Sequence, residues 1–391
     1  MRTDPLEDFL GAALADRRAA FQFRQRQIVR PLDSVHVDID GRGHVNFCSN
    51  NYLGLTHHPR VIEAVARATQ SHGAGAAASP LISGYTDLHA SAERALAKWK
   101  GTESAVLLPS GYQANHAAFQ ALAGAAQAAG SRVRFLVDEL AHASLLDAVR
   151  VRGLQFRTFG HNDLADLARL LSEDPDESLQ VVVTESIFSM DGDAAPLAGF
   201  ADLKARHNFV LLLDEAHGSG VFGTNGSGYA NESGFAGIVD VFVVTLSKSL
   251  GGIGGAVCAS KRFCDSVVNF GRAYVYSTSV PPAAAAACEA AIAVMSEEPQ
   301  RQRRVRELAR RVRQELSAAG ECPIVPIVLG EEQAALAAAE ELRAKGMLVL
   351  AVRPPTVPKG TSRLRVTLSC DHSDDEVDAL IRALRRVREK E

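Results

Sequence analysis

Several polar residues stand just beyond apolar runs, and each is of a type that becomes chemically useful when water is removed. Lys248 follows Val241–Thr245 in the stretch Thr245-Leu246-Ser247-Lys248-Ser249. A lysine at the end of a buried strand loses hydration, its pKa falls, and its amine becomes a usable nucleophile. Asp214 ends the run Phe209–Leu213, with His217 three residues on. A carboxylate so placed can face a heterocyclic nitrogen. Ser110-Gly111-Tyr112 ends one apolar run and opens a helix. Free N–H groups, the positive end of the helix dipole and a serine hydroxyl suit such a place to an anion. His142 lies in Asp138–Ser144, after another strand, where it can stack on a planar group or cap a helix. Ser189 lies in the polar run Thr184–Asp193.

Each of these has a plainer structural alternative. Lys248 can be a surface lysine, Asp214 a strand-end acid that caps a helix, Ser110 an ordinary helix cap and 184–193 an ordinary loop. Asp214-Glu215-Ala216-His217 also has the form of a magnesium-binding acid in an NTPase, but that chemistry needs a loop ending in Gly-Lys-Ser/Thr, and the chain has none. Gly251-Gly252-Ile253-Gly254-Gly255 lacks the spacing of a dinucleotide fingerprint. Taken together, an anion clamp, a stacking ring, a buried acid and a desolvated lysine fit one cofactor, pyridoxal 5'-phosphate (PLP). Its phosphate needs the helix start, its ring nitrogen an acid, and its aldehyde an amine.

The elements that must position these groups alternate between strand and helix after Asn50. Apolar runs at 105–108, 134–137, 180–184, 209–213 and 241–245 are separated by helical patterns, including a long alanine-rich one at 112–129. This predicts an α/β fold with a mostly parallel sheet buried on both faces, whose ligands bind beyond the carboxyl ends of the strands. From Pro281-Pro282 onward the pattern becomes a smaller α+β domain: helices at 282–295 and 301–316, strands at 324–328, 348–352 and 364–367, and a terminal helix at 374–388. The expected organisation is an N-terminal helix and strand segment over 1–48, a large domain over 49–285 and a small C-terminal domain over 286–391. In the first segment a basic helix is predicted over Leu14–Arg26.

Composition narrows the function. The chain has 391 residues, 47% hydrophobic and 23% charged, with a formal charge of −4. Nucleic acid is therefore not an expected partner. Six cysteines without CxxC spacing indicate neither a disulfide framework nor a metal site. Met1–Leu10 lacks a secretory pattern, and no apolar run reaches a membrane span. A cytoplasmic protein without membrane contact is expected.

The chain resembles the α-oxoamine synthases, PLP enzymes of fold type I, from about Leu14 to Arg388. The residues that carry the resemblance are Phe47–Leu55, Leu81–Tyr85, His142-Ala143-Ser144, Glu185–Asp193, Asp214–Val221 and Lys248, with His161-Asn162-Asp163-Leu164, Tyr276–Pro282 and Arg353-Pro354-Pro355-Thr356-Val357-Pro358. The resemblance implies a homodimer with active sites at the interface, and a decarboxylative condensation of a small amino acid with an acyl thioester of coenzyme A or a carrier protein. The Arg353–Pro358 run points to the branch that uses L-alanine and a pimeloyl donor. Ser247-Lys248-Ser249 is closer to the serine-using branch, and Lys359-Gly360 also occurs in the glycine-using one.

The resemblance also implies roles. Lys248 holds the cofactor aldehyde and acts as base, Asp214 pairs with the ring nitrogen, His217 bonds the phenolic oxygen, and His142 stacks on the ring. Ser110, Gly111, Tyr112 and Thr245 lie about the cofactor and its phosphate, and Ser189 is close to the ring. Thr278 reaches the phosphate bound by the neighbouring subunit. Arg353 and Arg24 hold carboxylates, Arg353 that of the amino acid, with Thr356 and Asn50 also at the substrate.

Overall fold

Aliphatic runs without polar alternation form strands that need cover on both faces. Seven such strands build the central sheet: β1 (Ser104–Leu108), β2 (Val133–Asp138), β3 (Gln155–Phe159), β4 (Leu179–Glu185), β5 (Val210–Asp214), β6 (Val241–Thr245) and β7 (Gly255–Ala259). Their order is β1-β7-β6-β5-β4-β2-β3. β2 to β6 are mutually parallel, and β7 runs antiparallel between β1 and β6. This is the fold type I architecture expected from the sequence, and the computed structural model describes it over residues 5–173, 178–318 and 320–389. Met1–Asp4, part of the segment read for a secretory leader, lie outside the described residues.

The chain divides into two compact units, Asn50–Glu307 and Met1–Ser49 with Leu308–Glu391. The first holds the central sheet. Its alanine-rich helix Gly111–Ala128 buries Ala114, Ala117, Ala118 and Ala121 completely, and side chains this small let the helix lie close to the strands. Ser110 caps it, accepting from Gln113 N at 3.1 Å. Helix Pro282–Glu297 stays in this unit because it packs on helices Pro59–His72 and Asp87–Lys100, which places the division after Glu307 rather than at the expected 285.

In the second unit the expected N-terminal segment joins the C-terminal part. Strand Arg42–Asn46 pairs with Met347–Leu348, and Thr367 N donates to Phe47 O. The Asp40-Gly41 turn between His36–Ile39 and Arg42–Asn46 has φ of 53° and 78°, the geometry of a tight hairpin that glycine favours. Strands Ile324–Gly330, Ser362–Thr367 and Leu350–Val352 form a separate antiparallel sheet. Ser373 caps the terminal helix Asp374–Arg388 in a capping box with Glu376.

Three elements differ from expectation. The N-terminal helix spans Pro5–Ala19, not Leu14–Arg26. Phe21 takes a left-handed φ of 53° and Gln22 N closes back on Arg17 O, so Arg24 lies beyond the helix in irregular chain. β3 has no aliphatic run to reveal it because, as an edge strand, it leaves Gln155, Arg157 and Thr158 exposed. β7 was not anticipated because Gly255-Ala256-Val257-Cys258-Ala259 is short, small and preceded by glycines. Small residues are required there: a Cβ on Gly255 would come within 2.6 Å of Gly111 Cα.

Candidate active site

Register in the parallel sheet brings distant residues together. Glu185 ends β4 directly opposite Asp214, which ends β5, and Asp214 lies opposite Val243 of β6. Lys248 follows three residues after β6. Asp214 is buried, and both its oxygens are held as acceptors: Asn115 Nδ2 donates to Oδ2 at 2.8 Å and Ala216 N to Oδ1 at 2.9 Å. That arrangement fixes the orientation of the carboxyl group.

Lys248 Nζ lies 2.8 Å from His217 Nε2, and His217 Nδ1 lies 2.7 Å from the Tyr52 hydroxyl, which donates to Asn50 Oδ1 at 3.1 Å. These four side chains form one directed path. Because the Tyr52 proton goes to Asn50, the Tyr52 oxygen accepts from His217 Nδ1–H. His217 Nε2 therefore carries a lone pair and accepts from the lysine. Asn50 thus joins the lysine through Tyr52 and His217.

His142 N donates to Glu185 Oε1 at 2.6 Å, and Ser144 N donates to His142 Nδ1 at 3.2 Å, so His142 caps the helix that begins at Ala143 while its ring remains exposed. Of the two readings of His142, the structure shows the cap, and the ring is left open to a planar group. Partial desolvation lowers the His142 pKa, the Asp214 charge opposes it and the Lys248 charge adds to it; a neutral ring stacks more readily on a cationic heterocycle.

Burial raises Glu185 to about 8, helped by the Asp214 charge and opposed by Lys248 and the His142 N–H bond. A carboxyl with a raised folded pKa binds its proton more tightly in the native state, so stability falls as pH rises from the usual 4.5 towards 8. Glu185→Gln keeps the shape of the protonated acid. Urea unfolding from pH 5 to 9 is expected to show a flatter dependence for the variant than for the wild type. Parallel curves would show that Glu185 is ionised throughout.

The anion end is built from the start of helix Gly111–Ala128. A Cβ on Gly111 would come within 2.3 Å of Thr245 Oγ1, so glycine is what lets this helix start approach Thr245 at the end of β6. Ser110 and Thr245 contribute hydroxyls at the helix's positive end. Ser277 Oγ accepts from Gln113 Nε2 at 3.1 Å, which puts the Thr278 segment beside the same helix start of this chain. Tyr112 is open to solvent, stacks on His116 with centroids 4.5 Å apart, and donates to Asp147 Oδ2 at 3.0 Å. Ser189 is half-buried in a loop closed by Phe188 N on Asp193 O and Ala195 N on Ser186 O. An amine, a buried acid, an exposed ring and a glycine-lined helix start are the groups PLP requires.

The remaining predicted residues form a second group, in the other unit. Arg24 Nη2 donates to Thr356 Oγ1 at 2.9 Å, and Arg353 donates to Phe21 O. Burial lowers the Arg353 pKa and the neighbouring Arg24 charge lowers it further. Two guanidinium groups thus lie near each other, one of them bonded to Thr356.

Tyr52, Asn115 and Glu185 belong to the site but were not assigned a part in it from sequence. Tyr52 and Glu185 lay inside quoted motifs. Asn115 had one usable signal, its place one helical turn after Gly111.

An amine and an acid converging at the strand ends of such a sheet define an enzyme of the fold type I class. Residues 42–384 match the family of class I and II aminotransferases. The 8-amino-7-oxononanoate synthase of Alkalilimnicola ehrlichii is 41% identical over 395 residues, 99% of each chain. A serine palmitoyltransferase of Sphingomonas wittichii superposes with a TM-score of 0.91 at 30% identity, covering 99% of both chains. A structure described as SPT with PLP superposes with a TM-score of 0.90 at 27% identity, again over 99% of both. The chain belongs to the class I and II aminotransferase family, in its α-oxoamine synthase branch.

Proposed function

We propose that this enzyme joins L-alanine to a pimeloyl thioester, releasing CO2 and a free thiol and forming 8-amino-7-oxononanoate, a step of biotin biosynthesis. The broader activity follows from the family: a PLP-dependent acyltransferase that condenses an amino acid with an acyl thioester. PLP supplies an aldehyde that captures amines and a pyridinium ring that draws electrons from the amino acid's α-carbon.

The chain's own residues do the rest. Lys248 Nζ would hold the cofactor aldehyde, and as a free amine it would take the α-proton as general base. His217 Nε2, an acceptor 2.8 Å from that amine, helps to hold the lysine proton. Asp214, oriented by Asn115 and Ala216 N, would pair with the ring nitrogen and favour its protonated form. His142 supplies the stacking face.

The observation that supports alanine and pimelate is the placement of the Arg24 and Arg353 guanidinium groups near each other, with Arg24 bonded to Thr356. This reaction has two carboxylates to hold, one on the amino acid and one at the far end of the pimeloyl chain. A fatty acyl or acetyl donor brings no second carboxylate. A serine-using reading is favoured by Ser247-Lys248-Ser249 and by the likeness to serine palmitoyltransferase. A glycine-using reading rests on Lys359-Gly360. Thiol release should be measured with alanine and pimeloyl-CoA, serine and palmitoyl-CoA, and glycine and acetyl-CoA. Turnover with the first pair is expected; turnover restricted to either of the others overturns the proposal. A pimeloyl carrier protein in place of pimeloyl-CoA decides the donor.

Arg353→Ala is expected to raise KM for alanine by about ten- to a hundredfold, since a charge-assisted pair to the substrate carboxylate is lost. KM for the thioester should move less than about twofold on the same reasoning. The reverse pattern would assign the amino-acid carboxylate to Arg24.

The enzyme is further read as a cytoplasmic homodimer with Thr278 at the partner's phosphate. Support comes from large apolar side chains left open on adjoining segments: Leu81, Ile82 and Tyr276, joined through Ser279 N donating to Ala78 O.

A further inference from the structure

His161, the first residue of the His161-Asn162-Asp163-Leu164 motif, takes no part in the chemistry above, yet it sits between two loops that do. Its Nδ1 lies 3.0 Å from Asp138 Oδ1 and its Nε2 lies 2.8 Å from Asp193 Oδ2. Asn162 doubles both links: its N donates to Asp138 Oδ2 at 3.0 Å and its Nδ2 to Asp193 Oδ2 at 3.0 Å. Asp138 is fully buried at the end of β2, and its Oδ1 accepts from Leu140 N at 2.9 Å, two residues before His142. Asp193 is at the base of the loop that carries Ser189, and Phe188 of that loop packs edge-on against the His161 ring with centroids 4.4 Å apart. One imidazole therefore ties the loop of the stacking histidine to the loop of the ring-side serine.

We propose that His161 in its protonated form is a positioning residue, a cationic staple that sets the spacing of the His142 and Ser189 loops and thereby couples PLP binding to pH. Only the imidazolium donates from both nitrogens; a neutral ring turns a lone pair towards one of the two carboxylates. Three further carboxyl groups stand about this turn: Glu139 Oε1 accepts from His161 N at 3.1 Å, Asp163 caps the helix that follows, and Asp166 accepts from Gly160 N at 3.1 Å while pairing with Arg169 at 2.6 Å. Burial works to lower the His161 pKa, and the Asp138 and Asp193 carboxylates overcome it, leaving it above the usual 6.5. The staple is thus complete below that raised value and is lost as pH rises through it.

The proposal rests on the PLP reading. Its test is the dissociation constant of PLP for the full-length chain, titrated from pH 6 to 9, with the visible circular dichroism of the bound cofactor recorded as a report of ring orientation. Wild-type affinity is expected to fall about tenfold as the staple loses its proton, the size of one charge-assisted bond. His161→Gln should bind PLP about tenfold more weakly at pH 6.5 and show no such step. Asp193→Asn breaks the staple from its other end, is informative even if His161→Gln fails to fold, and should weaken binding similarly. The double variant should be no weaker than either single one, because both remove the same link. Wild-type affinity and dichroism in the single variants, a pH step that survives His161→Gln, or fully additive losses would overturn the staple. Failure of the wild type itself to bind PLP would instead overturn the cofactor reading.

Discussion

Lys248→Ala is expected to abolish measurable turnover and the visible absorbance of enzyme-bound PLP together. Two roles meet in this amine, and both end with it: it holds the cofactor aldehyde and it carries the α-proton. General-base catalysis alone contributes about a hundred- to ten-thousandfold, and loss of the tethering amine adds to that. The fold should survive, because Lys248 lies in a turn after β6, only partly buried, and its amine contacts the His217 side chain. Far-UV circular dichroism and thermal unfolding check this. Retained absorbance with lost turnover would leave Lys248 as base only; retention of both would remove it from the site.

Asp214→Asn should lower kcat by about a hundred- to ten-thousandfold, on the scale of a preorganised charge removed from a reacting centre. PLP binding should weaken less. The neutral amide no longer favours a protonated ring nitrogen, so the ring loses most of its pull on the α-carbon electrons. The geometry adds a second consequence. Asn115 Nδ2 and Ala216 N both donate to Asp214, one to each oxygen. Asparagine offers one acceptor oxygen, so one buried donor is left without its partner at a cost of about 1–3 kcal/mol. The variant should therefore also unfold at lower urea. Measuring kcat, PLP affinity and urea midpoint on one preparation separates the effects. A kcat near wild type would refute the pairing of Asp214 with the ring.

Sequence reasoning reached the residues whose local setting advertised them. Lys248, Asp214 and Ser110 each close an apolar run, and strands buried on both faces are readable from aliphatic runs alone. The partners that make these residues work were not readable in that way. Tyr52 meets His217 across 165 positions and Asn115 meets Asp214 across 99, and only strand order and register bring such pairs together. The strand β7 was hidden by its own function: glycine and alanine, needed for close approach to the helix start at Gly111, dilute the strand signal. The misplaced N-terminal helix has a similar cause. Arginines at 17, 18, 24 and 26 suggest one basic helix, but the chain reverses at Phe21 and Arg24 meets Thr356, 332 positions away.

The central claim is that Lys248 is the amine that holds PLP. The direct test is to saturate the full-length protein with PLP, reduce with borohydride and map the modified peptide by mass spectrometry. The phosphopyridoxyl group is expected on Lys248 in near-stoichiometric amount. A label on another lysine, such as the buried Lys100 beside Glu215, or no label under saturating PLP, would contradict the account.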